Sequence, residues 1–220
     1  MLIVKGVCGM KNLINMEDMI NQLRQKRKIF VSEADLQLEL AWIIKNAYPD
    51  AKVRLEYCPV FEPNMHIDIL VIMNNKWIPI ELKYKTKGCC KQVDDEVFNL
   101  KNHSAKDVNC YLYLKDIQRI ERIKENVSEF SEGYTVFLTN DLSYTKHPMK
   151  ADCIYKDFSL ENGAVKTGRL DWSAKASAGT KKNCEEPIEL KGEYPVQWKE
   201  YAKIDETDTG MLVYVTNQIH

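Results

Sequence analysis

The chain has 220 residues and a mass of 25.6 kDa, with 45% hydrophobic and 29% charged residues. That composition suits an ordinary folded protein with a full core, and it excludes a disordered or fibrous chain. Lys and Arg number 31 against 32 Asp and Glu, a formal charge of −1, so no global positive field advertises a nucleic-acid partner and any polyanion must meet a local patch.

In chain order, Met16 to Arg27 has the spacing of a short amphipathic helix, with Met19, Ile20 and Leu23 on one side and basic residues at its C-terminal end, where they oppose the helix dipole. Ser32 then reads as the N-cap of a second helix, with Asp35 three residues on as the acidic member of a capping box. Leu36, Leu40, Ile43, Ile44 and Ala47 recur at helical spacing until Tyr48-Pro49-Asp50 ends the run. Glu33 and Gln37 fall on the margin of that apolar stripe, so Glu33 is a first-turn carboxylate pointing partly inward.

Three strands are predicted next. Lys52 to Pro59 alternates, with Val53, Leu55 and Tyr57 on one face. Pro63-Asn64 makes a turn, and His66 to Met73 is apolar on both faces, as a central strand requires. Asn74-Asn75 supplies a tight hairpin turn into Trp77 to Tyr84, where Ile78, Ile80 and Leu82 face one way and Glu81 and Lys83 the other. Beyond Gly88 the spacing predicts a helix over Val93 to Leu100 and a longer one over Asn109 to Asn126, then a strand over Tyr134 to Thr139. The C-terminal part carries strand candidates at Cys153 to Ser159, Ala164 to Trp172 and Met211 to Thr216, a short helix at Trp198 to Ile204 and a polar loop at Ser173 to Cys184. No internal repeat or linker divides the chain, so residues 1–220 are expected to form a single domain: an N-terminal helix region over 1–31, a core over 32–139 and an elaboration over 143–220.

No segment reaches about 18 apolar residues, and Met1 to Met10 holds only a short apolar run broken by Lys5 and Gly6, so neither a membrane span nor a secretory signal is expected. The seven cysteines (Cys8, Cys58, Cys89, Cys90, Cys110, Cys153 and Cys184) are odd in number, scattered, and contain no Cys-x-x-Cys pair. They read as free thiols of a cytoplasmic protein and give no support to a zinc or iron–sulfur site.

The chemistry-bearing residues lie on the predicted hairpin. Asp68 interrupts the apolar run His66-Ile67-Asp68-Ile69-Leu70-Val71, where a carboxylate is costly unless it is paired, ligates a metal or reaches a cleft. Glu81 sits in the returning strand within Ile80-Glu81-Leu82-Lys83, and the turn between folds the two strands together, so Asp68, Glu81 and Lys83 can share one face. Two close carboxylates repel, which a divalent cation relieves, and hard oxygen donors suit Mg²⁺ or Mn²⁺.

Asp68 followed by Glu81-Leu82-Lys83, on a hairpin behind a helix carrying Glu33, resembles the PD-(D/E)xK nuclease superfamily, over roughly Ser32 to Thr139. The resemblance implies an α/β fold: a central mixed β-sheet flanked by helices, with the αβββαβ restriction-endonuclease-like core and here a β-rich C-terminal extension. It implies that Asp68, Glu81 and the Leu82 carbonyl bind the metal, that Lys83 assists the attacking water, and that Glu33 completes the site. Ile67 stands where the family name has proline, and no glutamine–tyrosine motif follows the lysine.

The expected activity is metal-dependent hydrolysis of phosphodiester bonds in DNA, with Mg²⁺ or Mn²⁺ as cofactor. Lys85, Lys87 and Lys91 follow the motif and are the expected nucleic-acid contacts, since clustered cations release counterions from phosphates. Restriction-like enzymes often pair to cut two strands, so the resemblance also admits a homodimer. The alternative from another class is a non-catalytic nucleic-acid- or protein-binding domain on the same scaffold. His66, Lys115 and Arg119 are further candidates for the site, and Trp172, Tyr194, Trp198 and Tyr201 read as core aromatics before base-stacking ones.

Overall fold

The computed structural model describes residues 12–148 and 153–220; Cys8 and the segment Met1 to Met10 lie outside them. Helix α1 (Met16–Lys26) starts at Asn15, whose side chain accepts from the Asp18 N–H, and buries Met16, Met19, Ile20 and Leu23. Helix α2 (Glu33–Ala47) is capped by Ser32, whose hydroxyl accepts from Asp35 N–H at 3.1 Å. The Asp35 carboxylate reaches past the cap residue to Val31 N–H and pairs with Arg27 at 3.0 Å. The buried stripe of α2 is Leu36, Gln37, Leu40, Ala41, Ile43 and Ile44. Ala47, expected inside, is exposed at the last turn.

Three strands follow, β1 (Lys52–Tyr57), β2 (Ile67–Met73) and β3 (Lys76–Lys85), paired antiparallel in succession. The β2–β3 turn is Asn74-Asn75, with φ of 51° and 59°, the doubly left-handed turn whose twist matches that of the flanking strands. The predicted helix over Val93 to Leu100 is instead the second half of a hairpin, β4 (Cys89–Val93) and β5 (Glu96–Leu100). Its inward residues, Phe98 and Leu100, are two apart, and Asp94 takes φ 52° at the turn, where a short polar side chain is tolerated. Helix α3 (Lys106–Asn126) then crosses over to β6 (Gly133–Thr139), which lies parallel to β3.

In the C-terminal part, β7 (Val165–Leu170) pairs with β8 (Ile188–Pro195), a strand not anticipated from the sequence. The segment from Cys153 to Ser159 is a series of turns rather than a strand, burying Phe158, and the expected loop holds one short helix, α4 (Ala178–Lys181). Trp198 to Ile204 contains an edge strand, β9 (Lys199–Lys203), in place of a helix. It pairs with β10 (Met211–Ile219), which inserts beside β6.

The result is a mixed six-stranded sheet, ordered β1-β2-β3-β6-β10-β9, with helices on both faces and two separate hairpins. One face packs on α1 and α2 through Ile69, Val71, Ile78, Ile80, Leu82 and Tyr84. The other face carries α3, with Tyr113, Leu114, Ile117 and Ile120 against Phe137, Val215 and the β7–β8 hairpin. Gly133 opens β6 because a Cβ there would collide with Ile120 and crowd Pro79. No helix of the described residues is long and apolar enough to cross a membrane.

Candidate active site in the split between two strands

The site begins where the sheet fails to pair. The β2–β3 ladder ends at Ile69↔Ile80, while β3 continues along β6 as far as Lys85↔Thr139. On the other side of β2, pairing passes from Leu55↔Ile69 to Tyr57↔Ile67 around Glu56, which takes φ 52°. Asp68 therefore sits at an interruption in both ladders, and backbone groups that strand pairing would satisfy need other partners.

Carboxylates supply them. Leu82 N–H donates to Asp68 Oδ2 at 2.6 Å and Tyr84 N–H to Glu33 Oε2 at 2.6 Å. The Asp68 carbonyl accepts from Gln37 Nε2 at 2.7 Å, and the same amide reaches Glu56 Oε1. The first turn of α2 is thus tied to the open edge of β3. Tyr84 strengthens the joint by donating its hydroxyl to the Phe30 carbonyl.

Glu81 and Lys83 project toward α3, as strand alternation predicts. There they meet two residues of that helix. Lys83 Nζ lies 2.6 Å from Asp116 Oδ2 and donates to the Leu82 carbonyl at 3.0 Å. Arg119 spans Asp116 at 3.2 Å and Glu81 at 3.3 Å, and also donates to the His66 carbonyl. The guanidinium is off-line for a hydrogen bond to Glu81, so both Glu81 oxygens lie buried without a donor. The Glu81 side chain is 0% exposed and that of Asp116 4%.

Burial sets the protonation of this cluster. It pushes the Asp68 carboxyl up to about 6, although the Leu82 N–H and Lys83 pull the other way. Glu81 is driven well above the usual carboxylate range, by burial first and then by the charges of Asp116 and Asp68. Burial works against the Lys83 ammonium, but Asp116, Glu33 and Asp68 outweigh it and raise the pKa, so Lys83 is a cation at neutral pH and not a general base.

The sequence-derived residues are distributed as follows. Asp68, Glu81, Lys83 and Glu33 share the split, with the Leu82 carbonyl held by Lys83. Lys85 pairs with Glu33 at 3.0 Å. Lys87 is exposed, its backbone N–H donating to Asn140 Oδ1. Lys91 is buried, its ammonium held by the Asp205 carboxylate and the Thr207 hydroxyl, so it ties the β4–β5 hairpin to the segment before β10. Trp172, Tyr194 and Tyr201 are core residues. The described cysteines are free.

Asp116 escaped the sequence reading, although its spacing from Tyr113 and Ile120 put it on the buried stripe of α3. A cleft of about 400 Å³ opens beside Asp68, with Lys115, Arg119 and Arg122 on one wall and Glu56, Glu62 and His66 on the other.

Whether these residues suit a divalent cation turns on Glu81. A buried carboxylate without donors is stable only when protonated or beside a cation. Asp68, Glu81 and the Leu82 carbonyl are the hard oxygen donors that Mg²⁺ and Mn²⁺ accept. Among the described residues no three His, Cys, Asp or Glu side chains converge on one point. The set that fits in kind is therefore two carboxylates plus a main-chain carbonyl. Scans of protein-family models, of curated proteins and of solved structures returned no match to this chain.

Proposed function

We propose that the protein is a divalent-cation-dependent nuclease acting on DNA, with a restriction-endonuclease-like αβββαβ core. The observation that supports this reading best is the split between β2 and β3. A sheet gains nothing structural from leaving its central strands unpaired at Asp68 and burying Glu81 without a donor. Both features make sense if the gap exists to hold a charged ligand.

Asp68, Glu81 and the Leu82 carbonyl would hold the cation. When bound, Mg²⁺ or Mn²⁺ would polarise the phosphodiester and lower the pKa of an attacking water. Lys83, fixed by Asp116 and cationic at neutral pH, stabilises the negative charge that develops on the phosphoryl oxygens. Glu33 orients the segment from Tyr84 to Lys85 and with it the Lys83 backbone. Lys115 and Arg122 line the cleft as phosphate contacts, with Lys85 and Lys87 beyond the motif.

A specific observation favours the second reading, a binding module without catalysis: Lys83 and Glu81 already have ionic partners on α3. Incubating the chain with supercoiled plasmid, linear duplex, single-stranded DNA and RNA, with Mg²⁺ and then Mn²⁺, decides between them. The nuclease reading expects cation-dependent cleavage that Asp68→Asn and Lys83→Met each abolish. No cleavage of any substrate by the wild type, with retained DNA binding, would establish the binding module.

A further inference from the structure

Arg119 has three polar partners, each belonging to the site. Its guanidinium faces Glu81 at 3.3 Å and Asp116 at 3.2 Å and donates to the His66 carbonyl, two residues before Asp68. Its side chain is 24% exposed and lines the cleft in which Asp68 is found. It is the only cation of the described residues paired with Glu81, yet it leaves both carboxylate oxygens without a hydrogen bond. A structural ion pair normally satisfies the carboxylate it neutralises, because an incompletely bonded buried charge is costly. Arg119 supplies charge to Glu81 without filling its coordination positions.

We propose that Arg119 is a built-in competitor for the divalent cation: it neutralises Glu81 while the metal is absent, must yield that carboxylate when the metal binds, and so sets the metal concentration at which the site loads. The inference rests on the metal-dependent reading above. Asp116 makes the exchange practicable. Its Oδ2 pairs with Lys83 at 2.6 Å while Arg119 faces Oδ1 at 3.2 Å, so the oxygen that holds the lysine is not the one Arg119 would leave. The exposed flank of Arg119 gives the released guanidinium a route into the cleft, beside Lys115 and Arg122.

A resident cation and an incoming one that share a carboxylate oppose each other, and coupling of this kind typically amounts to about 5- to 150-fold in affinity. The test is calorimetric titration of Mn²⁺ alone into the wild type, Arg119→Gln, Arg119→Lys and Asp68→Asn, each first checked for cooperative thermal unfolding. Arg119→Gln is expected to bind Mn²⁺ at least about tenfold more tightly than the wild type. Arg119→Lys, which keeps the charge, is expected to stay near the wild type, and Asp68→Asn to lose binding. Equal or weaker Mn²⁺ affinity in Arg119→Gln, with the wild type still binding, overturns the competitor and leaves the metal site standing. Absence of Mn²⁺ binding in both wild type and Arg119→Gln overturns the metal-dependent reading and the competitor with it. Binding by Arg119→Gln alone supports the competitor in its strongest form.

Discussion

Asp68→Asn should make the metal-free protein more stable at neutral pH. The Asp68 carboxyl is raised from its ordinary 3.8 to about 6, so folding strengthens its hold on a proton. A folded-state pKa above the unfolded one contributes stability that is complete below about pH 4 and is lost as pH climbs through about 6. The difference corresponds to about 3 kcal/mol against the ionised form at neutral pH. Asparagine removes that charge yet keeps a carbonyl oxygen for the Leu82 N–H now at 2.6 Å. Its new amide donor offsets part of the gain, leaving about 1–3 kcal/mol. For a chain of this size each kcal/mol moves Tm by about 2–4 °C. Thermal melts in EDTA at about pH 7.5 and about pH 4 should show the mutant melting several degrees higher at the first and level with wild type at the second. Adding Mg²⁺ should raise the wild-type Tm and leave the mutant unmoved, because only a ligand bound to the folded state stabilises it. A mutant less stable at neutral pH, or a difference independent of pH, would refute the assignment of Asp68 as a destabilised, ligand-ready carboxylate.

Other perturbations follow from single contacts. Lys83→Ala strands the buried Asp116 without its nearest cation and should cost about 3 kcal/mol in urea unfolding, with Lys83→Ala/Asp116→Asn recovering most of it; an undiminished midpoint in the single mutant would show that the pair is not buried as described. Glu121 accepts from the Lys191 and Gly192 N–H groups and the Tyr194 hydroxyl, so Glu121→Ala should cost about 2–4 kcal/mol and speed amide exchange at Lys191 and Gly192 before the central sheet opens. Gly133→Ala forces a methyl against Ile120 and should cost about 1–3 kcal/mol, read as a shift in the denaturation midpoint without a change in slope.

What the sequence disclosed divides along a physical line. The capped helix α2 and strands β2 and β3 announce themselves because local periodicity, an N-cap and a left-handed Asn-Asn turn all agree with the tertiary fold. Where periodicity is short, local signals mislead. Val93 to Leu100 accommodates either period, and only the turn at Asp94 settles it as a hairpin. Trp198 to Ile204 becomes a strand because β10 offers an edge and Tyr201 can donate its hydroxyl to the Arg27 carbonyl, neither of which is written nearby in the chain. β8 hid within a charged stretch whose Glu189 and Lys191 alternate with buried Ile188 and Leu190.

The site itself was half legible for the same reason. Asp68, Glu81, Lys83 and Glu33 are joined by a hairpin and one helix turn, relations a linear reading can build. Asp116 lies on the legible buried stripe of α3, and Arg119 is a candidate in the sequence, but their pairing with Lys83 and Glu81 depends on how α3 lies against the sheet, a tertiary fact. Their addition alters the electrostatic argument. Four carboxylates, Glu33, Asp68, Glu81 and Asp116, face Lys83, Lys85 and Arg119, so the cluster carries one excess negative charge when all are ionised. Repulsion between Asp68 and Glu81 alone therefore does not demand a divalent cation, because Lys83 and Lys85 of β3 together with Arg119 of α3 already supply most of the compensation. An added divalent ion would turn that excess into one positive charge. In the proposed exchange, release of the guanidinium toward solvent would restore the near-neutral balance, so Arg119, rather than either strand carboxylate, would set how readily the split accepts a metal.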